Sequence, residues 1–105
     1  MASYSRIRVN KAEIDAGVER AAKALAPDVV RIRYSLGEDW TGVPSIFFRV
    51  VLSDDASREE RLHEAARRAA RRIEKEVDPD ELGLNSYPTF RSLLETLEMK
   101  EAEWE

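Results

Sequence analysis

Apolar and polar positions alternate along two stretches of the chain that flank a short loop. In Val29–Leu36 the even-numbered positions are apolar or aromatic, and in Ser45–Ser53 positions 46, 48, 50 and 52 are apolar. A period of two predicts half-buried strands, and the eight-residue loop Gly37–Pro44 joins them into an antiparallel hairpin. Matching the two apolar faces sets Arg33 opposite Arg49. Such a like-charge pair is unfavourable unless a counter-charge lies nearby.

Helical periodicity precedes the hairpin. Apolar residues recur on one face of Lys11–Ala26, and Asn10 with Glu13 has the spacing of a helix N-terminal cap. Gly17 lies in the interior of this helix, where glycine costs roughly 1 kcal/mol relative to alanine. We therefore expect a close backbone contact at Gly17.

A second helix is predicted over Arg58–Val77, where Ser57 and Glu60 have the spacing of a capping box. The alanines in its apolar stripe are small enough to let the helix lie close to a sheet. The stripe consists of Leu62, Ala65, Ala66, Ala69, Ala70, Ile73 and Val77. The opposite face carries arginines interleaved with glutamates. This pattern indicates a solvated face with ion pairs one helical turn apart.

The pattern of apolar and polar residues is less regular after Asp78. A loop with two leucines, residues 82–84, is expected to close on the core. Asn85–Arg91 is a candidate short edge strand, and Pro88 confines it to an edge or a bulge because proline cannot donate a ladder hydrogen bond. Ser92 and Glu95 then have the spacing of a cap for a last helix.

These elements predict a single α+β domain. It has an antiparallel hairpin, or a three-stranded sheet if the edge strand forms, packed on two helices in α-β-β-α order. Residues 1–9 form an N-terminal arm, residues 10–77 the core, and residues 78–105 an acidic C-terminal segment that is strand or helix. We expect that last segment to cross the free face of the sheet or to reach a partner.

The composition of the chain excludes several kinds of function. The 105 residues are 43% hydrophobic and 36% charged, with a net charge of −4, which is typical of a soluble globular domain. Residues 78–105 hold two basic and eight acidic side chains, whereas residues 1–77 hold 15 and 13. The absence of cysteine excludes disulfides, thiolate catalysis and cysteine-ligated zinc. No apolar run predicts a signal peptide or a membrane span, so we expect a cytoplasmic protein.

The element order over residues 10–77 resembles the core of a minimal nucleotidyltransferase of the antitoxin type. In that family a Gly-Ser pair follows the first strand, and an Asp-x-Asp pair on the second strand holds two magnesium ions. Here Gly37 is followed by Glu38, and the second strand begins Ser-Ile-Phe-Phe at position 45, without a carboxylate. Metal-assisted phosphoryl transfer needs acidic oxygens to hold the ions. The resemblance therefore implies an inactive relative.

The remaining carboxylates do not rebuild a catalytic site. The pair at residues 38–39 and the pair at residues 54–55 fall at opposite ends of the hairpin, roughly 25 Å apart for an eight-residue strand. We read the first pair as a solvated loop and the second as a helix entry. His63 is the only histidine and is read as a surface residue. We predict no catalytic residues, no metal site and no cofactor.

The favoured function is a non-catalytic protein-interaction module, such as an antitoxin-like or accessory subunit of a bacterial two-protein system, with a protein partner or a second copy of the chain. A tryptophan in a polar loop is a typical interface anchor, although Trp40 could instead fold back as a lid over the hairpin core. The six predicted contact residues are Trp40, Phe47, Arg31, Arg33, Arg49 and Trp104.

Two alternatives stay open. The first is an RNA-binding domain that uses the arginine-bearing sheet face, with Phe47 stacking on a base and the arginine row of the second helix adding contacts to phosphates. The element order is also that of type II KH domains, but their Gly-x-x-Gly clamp is absent, and a pI near 5.1 argues against a strong basic footprint. The second alternative is a divergent nucleotidyltransferase with carboxylates supplied from elsewhere in the chain.

Overall fold

The computed structural model describes residues 9–105, so the predicted N-terminal arm lies outside the described residues except for Val9. The fold is α+β, in the predicted order. Its elements are α1 Lys11–Leu25, β1 Val29–Glu38, β2 Pro44–Leu52, α2 Glu59–Val77, β3 Asn85–Ser92, α3 Leu93–Met99 and a 3-10 turn at Ala102–Trp104.

The sheet has three strands in the order β1-β2-β3. β1 and β2 are antiparallel, and Arg33 pairs with Arg49 as the alternation predicted. β3 forms the second edge, which accommodates Pro88. It pairs parallel to β2, because the crossover through α2 returns the chain to the same end of the sheet. The parallel direction was not predicted.

The hydrophobic core lies between one face of the sheet and the helices α1 and α2. Alternate β2 side chains, among them Ile46, Phe48 and Val50, are fully buried there. Ile14 of α1 and Ile73 of α2 close the layer from the helical side. The two-residue period of the strand and the 3.6-residue period of the helices thus meet in one core.

Gly17 confirms the predicted close contact between backbones. A Cβ atom built on Gly17 would lie 2.6 Å from the carbonyl oxygen of Glu76, where α1 packs against the end of α2. Real Cβ contacts are not that short, so only glycine lets the two helices approach to this distance.

The hairpin loop is shorter than predicted. Strand pairing continues through Gly37 with Ser45 and Glu38 with Pro44, so only residues 39–43 remain outside the ladder. Gly37, which the family resemblance placed in a loop, is therefore a strand residue.

The start of α2 also corrects the prediction. The helix begins at Glu59, and its N-cap residue Arg58 makes no capping hydrogen bond through its side chain. The Ser57 hydroxyl instead donates to the Ser53 carbonyl at 2.8 Å, because the preceding residues form turns of their own. Leu62, expected in the buried stripe, is 41% exposed.

The C-terminal part of the chain crosses the free face of the sheet, which was one of the two expected outcomes. Ser92 and Glu95 form a complete capping box at the start of α3. Beyond α3, the segment of residues 101–105 lies over the sheet and buries Trp104 to 4% exposure. No helix among residues 9–105 is both long enough and apolar enough to cross a membrane.

Candidate interaction surface on the sheet

The face of the sheet opposite the core carries most of the predicted contact residues. Three cross-strand rows share this face: Arg31 with Val51 and Arg91, Arg33 with Arg49 and Thr89, and Ser35 with Phe47 and Tyr87. One end of the face is therefore rich in arginine, and the end near the hairpin loop is aromatic.

The arginine end is engaged by the 101–105 segment. Arg31 Nε donates to the Trp104 carbonyl at 3.2 Å, and Arg49 Nε donates to the Glu103 carbonyl at 2.6 Å. Arg33 Nη2 donates to the backbone oxygen of Glu105 at 3.0 Å. Backbone oxygens of the segment thus accept hydrogen bonds from both arginines of the Arg33–Arg49 pair, and within residues 9–105 neither arginine forms an ion pair with a carboxylate side chain.

Trp104 anchors the segment. Its ring lies under the Arg91 guanidinium, 4.4 Å from the ring centroid, and Arg91 Nη1 is 2.7 Å from a Glu101 carboxylate oxygen. The structure thus brings Trp104 together with the three predicted arginines, but in a contact within the chain. Trp104 is buried by this contact and Arg31 and Arg49 are half-buried, whereas Arg33 stays exposed to solvent. A partner or an RNA would therefore reach Trp104 only after the segment moves.

The other end of the face carries an aromatic cluster, defined here as Trp40, Phe47 and Tyr87. Phe47 and Tyr87 stack with ring centroids 5.6 Å apart and an interplanar angle of 19°. Trp40 meets Tyr87 at 5.5 Å and 52°. Trp40 is 82% exposed, so the alternative in which it folds over the hairpin core is wrong.

Asp39 fixes the loop that carries Trp40. Its Oδ1 accepts from the Thr41 hydroxyl at 2.7 Å and from the backbone N–H groups of Thr41 and Val43. Its Oδ2 accepts from the Tyr87 hydroxyl at 2.8 Å, which ties the loop to β3. Asp39 is therefore buried, and its expected place in a solvated loop is wrong.

The hydrogen bonds also change proton affinities. Those accepted by Asp39, with the Thr41 hydroxyl contributing most, hold the pKa of the carboxyl well below its ordinary value. The bond from the Tyr87 hydroxyl to Asp39 raises the pKa of Tyr87. Asp39 therefore stays ionised and Tyr87 stays protonated throughout the neutral pH range.

Sequence reasoning missed Tyr87 and the role of Asp39. A usable signal for Asp39 was present, because aspartate followed by threonine two residues later and glycine three residues later is typical of an Asx-type turn. Gly42 adopts φ 84° in this turn. Tyr87 had no local signal, since its neighbour Phe47 lies forty residues away in sequence.

The carboxylates of the described residues do not gather into a metal site. Among residues 9–105 no three histidine, aspartate or glutamate side chains lie close enough together to hold a metal ion. His63 lines an apolar groove of about 550 Å³ between α2 and the end of β3, together with Leu62 and Phe90.

Comparison with protein-family models, with curated proteins and with solved structures gave no significant match for this chain. The resemblance to antitoxin-type nucleotidyltransferases accordingly stays a prediction.

Proposed function

We propose that this chain is a non-catalytic protein-interaction module that binds a partner protein through its aromatic cluster. The setting would be that of an accessory or antitoxin-like subunit in a bacterial two-protein system. The observation that carries the proposal is Trp40, whose side chain is 82% exposed although it is the largest apolar side chain in the hairpin loop.

The energetics of tryptophan favour this function. Burying an aromatic side chain removes roughly 150–250 Å² from water, and tryptophan and tyrosine are enriched among the residues that dominate binding energy. Trp40 leans on Tyr87, which stacks in turn on Phe47. The three rings offer a partner one continuous apolar contact.

The rigidity of the loop also supports binding. Asp39 accepts four hydrogen bonds, from Thr41, Val43 and Tyr87, and these hold residues 39–43 in one conformation. A partner then meets an ordered loop and does not have to order it, so less binding free energy is lost to conformational entropy.

A second exposed apolar surface on α3 is consistent with the same function. Leu94, Leu97 and Met99 are each more than half exposed. Helix α3 is only seven residues long, so three exposed large apolar side chains make it unusually apolar toward solvent.

The proposal is tested by light scattering on the purified chain, alone and mixed with the product of the neighbouring gene, together with a pull-down from that mixture. We expect a species heavier than the 12.0 kDa monomer in at least one sample. A strict monomer that does not capture the neighbouring gene product would overturn the proposal.

A further inference from the structure

A basic groove of about 350 Å³ lies between the end of α1 and the exposed side of α2. Ala24 and Leu25 contribute its apolar wall. Its charged lining consists of Glu64, Arg67, Arg68, Arg71, Arg72 and Lys75. Five cations and a single carboxylate thus converge on one groove, in a chain whose net charge is −4.

Two of these cations are partly neutralised by nearby carboxylates. Arg68 lies 3.5 Å from the Asp28 carboxylate, which Arg61 shares at 2.8 Å. Arg72 Nε lies 3.2 Å from a Glu76 carboxylate oxygen. The carboxylates of Asp28 and Glu76 therefore offset part of the positive charge at the edges of the groove.

The other three cations are Arg67, Arg71 and Lys75, and Glu64 is the one carboxylate that lines the groove with them. Arg67, Arg71 and Lys75 are exposed, and none of them forms an ion pair or a side-chain hydrogen bond within residues 9–105. They follow one another at four-residue spacing, where like charges on a helix destabilise it by about 0.2–0.5 kcal/mol per pair. The ion pairs expected along this face from the sequence are missing from this row.

The row has the geometry of a repeating anion. With a rise of about 1.5 Å per residue, its three charges are spaced roughly 6 Å apart and extend over roughly 12 Å. A single phosphate calls for converging donors, whereas a line of cations matches a polymer with phosphates at regular intervals. The groove has no aromatic side chain on which an unpaired base could stack.

We propose that the basic groove binds the phosphate backbone of a nucleic-acid duplex, with Arg67, Arg71 and Lys75 each neutralising one phosphate. Contacts of this kind position a duplex without reading its sequence. The groove belongs to the helical layer, whereas the aromatic cluster belongs to the opposite face of the sheet. The chain could therefore hold a partner protein and a duplex at the same time.

The test is a fluorescence anisotropy titration of a labelled 20-base-pair DNA duplex at several salt concentrations. The variant is R67Q/R71Q/K75Q. The control K11Q/R58Q/K100Q removes the same number of positive charges from exposed positions outside the groove, of which Lys11 and Arg58 form ion pairs with nearby carboxylates. Circular dichroism spectra of both variants verify that α2 is folded.

We expect the wild type to bind with a dissociation constant of roughly 10⁻⁴ to 10⁻⁶ M, tightening as salt is lowered. The groove variant should lose at least about tenfold in affinity at 50 mM salt. Its slope of log K against log salt should be shallower by about 2.7, which corresponds to three duplex phosphates. The control should keep the wild-type slope.

Absence of duplex binding by the wild type would overturn the proposal, as would equal slopes for the groove variant and the control. W40A serves to separate this proposal from the proposed protein interaction. It should bind the duplex like the wild type, because Trp40 does not line the groove.

Discussion

Arg33 and Arg49 lie directly opposite each other in the hairpin, and each donates a hydrogen bond to a backbone oxygen of the 101–105 segment, at 3.0 and 2.6 Å respectively. Facing arginines on neighbouring strands repel each other in a bare hairpin. Here the segment supplies the acceptors, so the like-charge pair becomes the docking point for the end of the chain.

The first prediction concerns the anchor of that segment. Trp104→Ala removes a ring that is 4% exposed and packs against Arg91. We expect the free energy of unfolding to fall by about 3 kcal/mol, as for other buried aromatic side chains. Urea unfolding followed by circular dichroism measures the change.

The matched control for this variant is Leu97→Ala, which truncates a side chain that is 61% exposed. It should change the free energy of unfolding by less than about 0.5 kcal/mol. Equal stabilities for W104A and L97A would contradict the docked position of Trp104.

The second prediction concerns the crossing of α1 and α2. Gly17→Ala should lower the free energy of unfolding by about 1–3 kcal/mol, because the new Cβ would meet the Glu76 carbonyl oxygen at 2.6 Å. At an open helical position the same change stabilises by roughly 1 kcal/mol. The sign of the measured effect in urea unfolding therefore decides whether the two backbones are in contact.

The third prediction concerns the pH dependence of the loop. The pKa of Asp39 is lower in the folded chain than the value of about 3.9 expected in the unfolded chain. The ionised carboxylate therefore stabilises the fold above about pH 4, and this contribution is lost as the pH falls toward the depressed pKa.

Asp39→Asn should consequently lower Tm by roughly 5 °C at pH 7, with a smaller difference from the wild type at pH 3. Thermal melts at both pH values measure the effect, and Asp80→Asn, at an exposed loop position, should leave Tm unchanged. A difference in Tm that is the same at both pH values would show that the charge of Asp39 plays no part.

The parts of the fold that could be predicted follow from local periodicity. The register of the hairpin is determined by the two-residue alternation, because a shift of one residue would turn Phe48 and its neighbours away from the core. The close approach at Gly17 could also be predicted, because glycine destabilises the interior of a helix and is expected there where a neighbouring backbone leaves no room for a side chain. Pro88 limited β3 to an edge or a bulge, and the structure places the strand at an edge.

The remainder depends on contacts between distant parts of the chain. The parallel pairing of β3 is a consequence of the crossover through α2. No local sequence pattern around residue 85 indicates that direction. Tyr87 joins the aromatic cluster only because that pairing sets it beside Phe47. Trp104 could equally have reached another chain, and only the docked segment distinguishes the two outcomes.

The exposed aromatic cluster also bears on stability. Because Trp40 is 82% exposed, Trp40→Ala should change the free energy of unfolding by less than about 0.5 kcal/mol, as is usual for surface positions. Urea unfolding measures this. A loss above about 2 kcal/mol would mean that Trp40 supports the fold, which would remove the reason for assigning it to a partner.

The central claim is that Trp40 is a binding anchor, and calorimetric titration of the chain with the neighbouring gene product tests it most directly. Val30→Ala is the matched control, because Val30 is an exposed apolar residue at the other end of the hairpin. The account predicts that W40A weakens binding by about thirtyfold or more, whereas V30A binds like the wild type. Equal affinities for W40A and the wild type would contradict it.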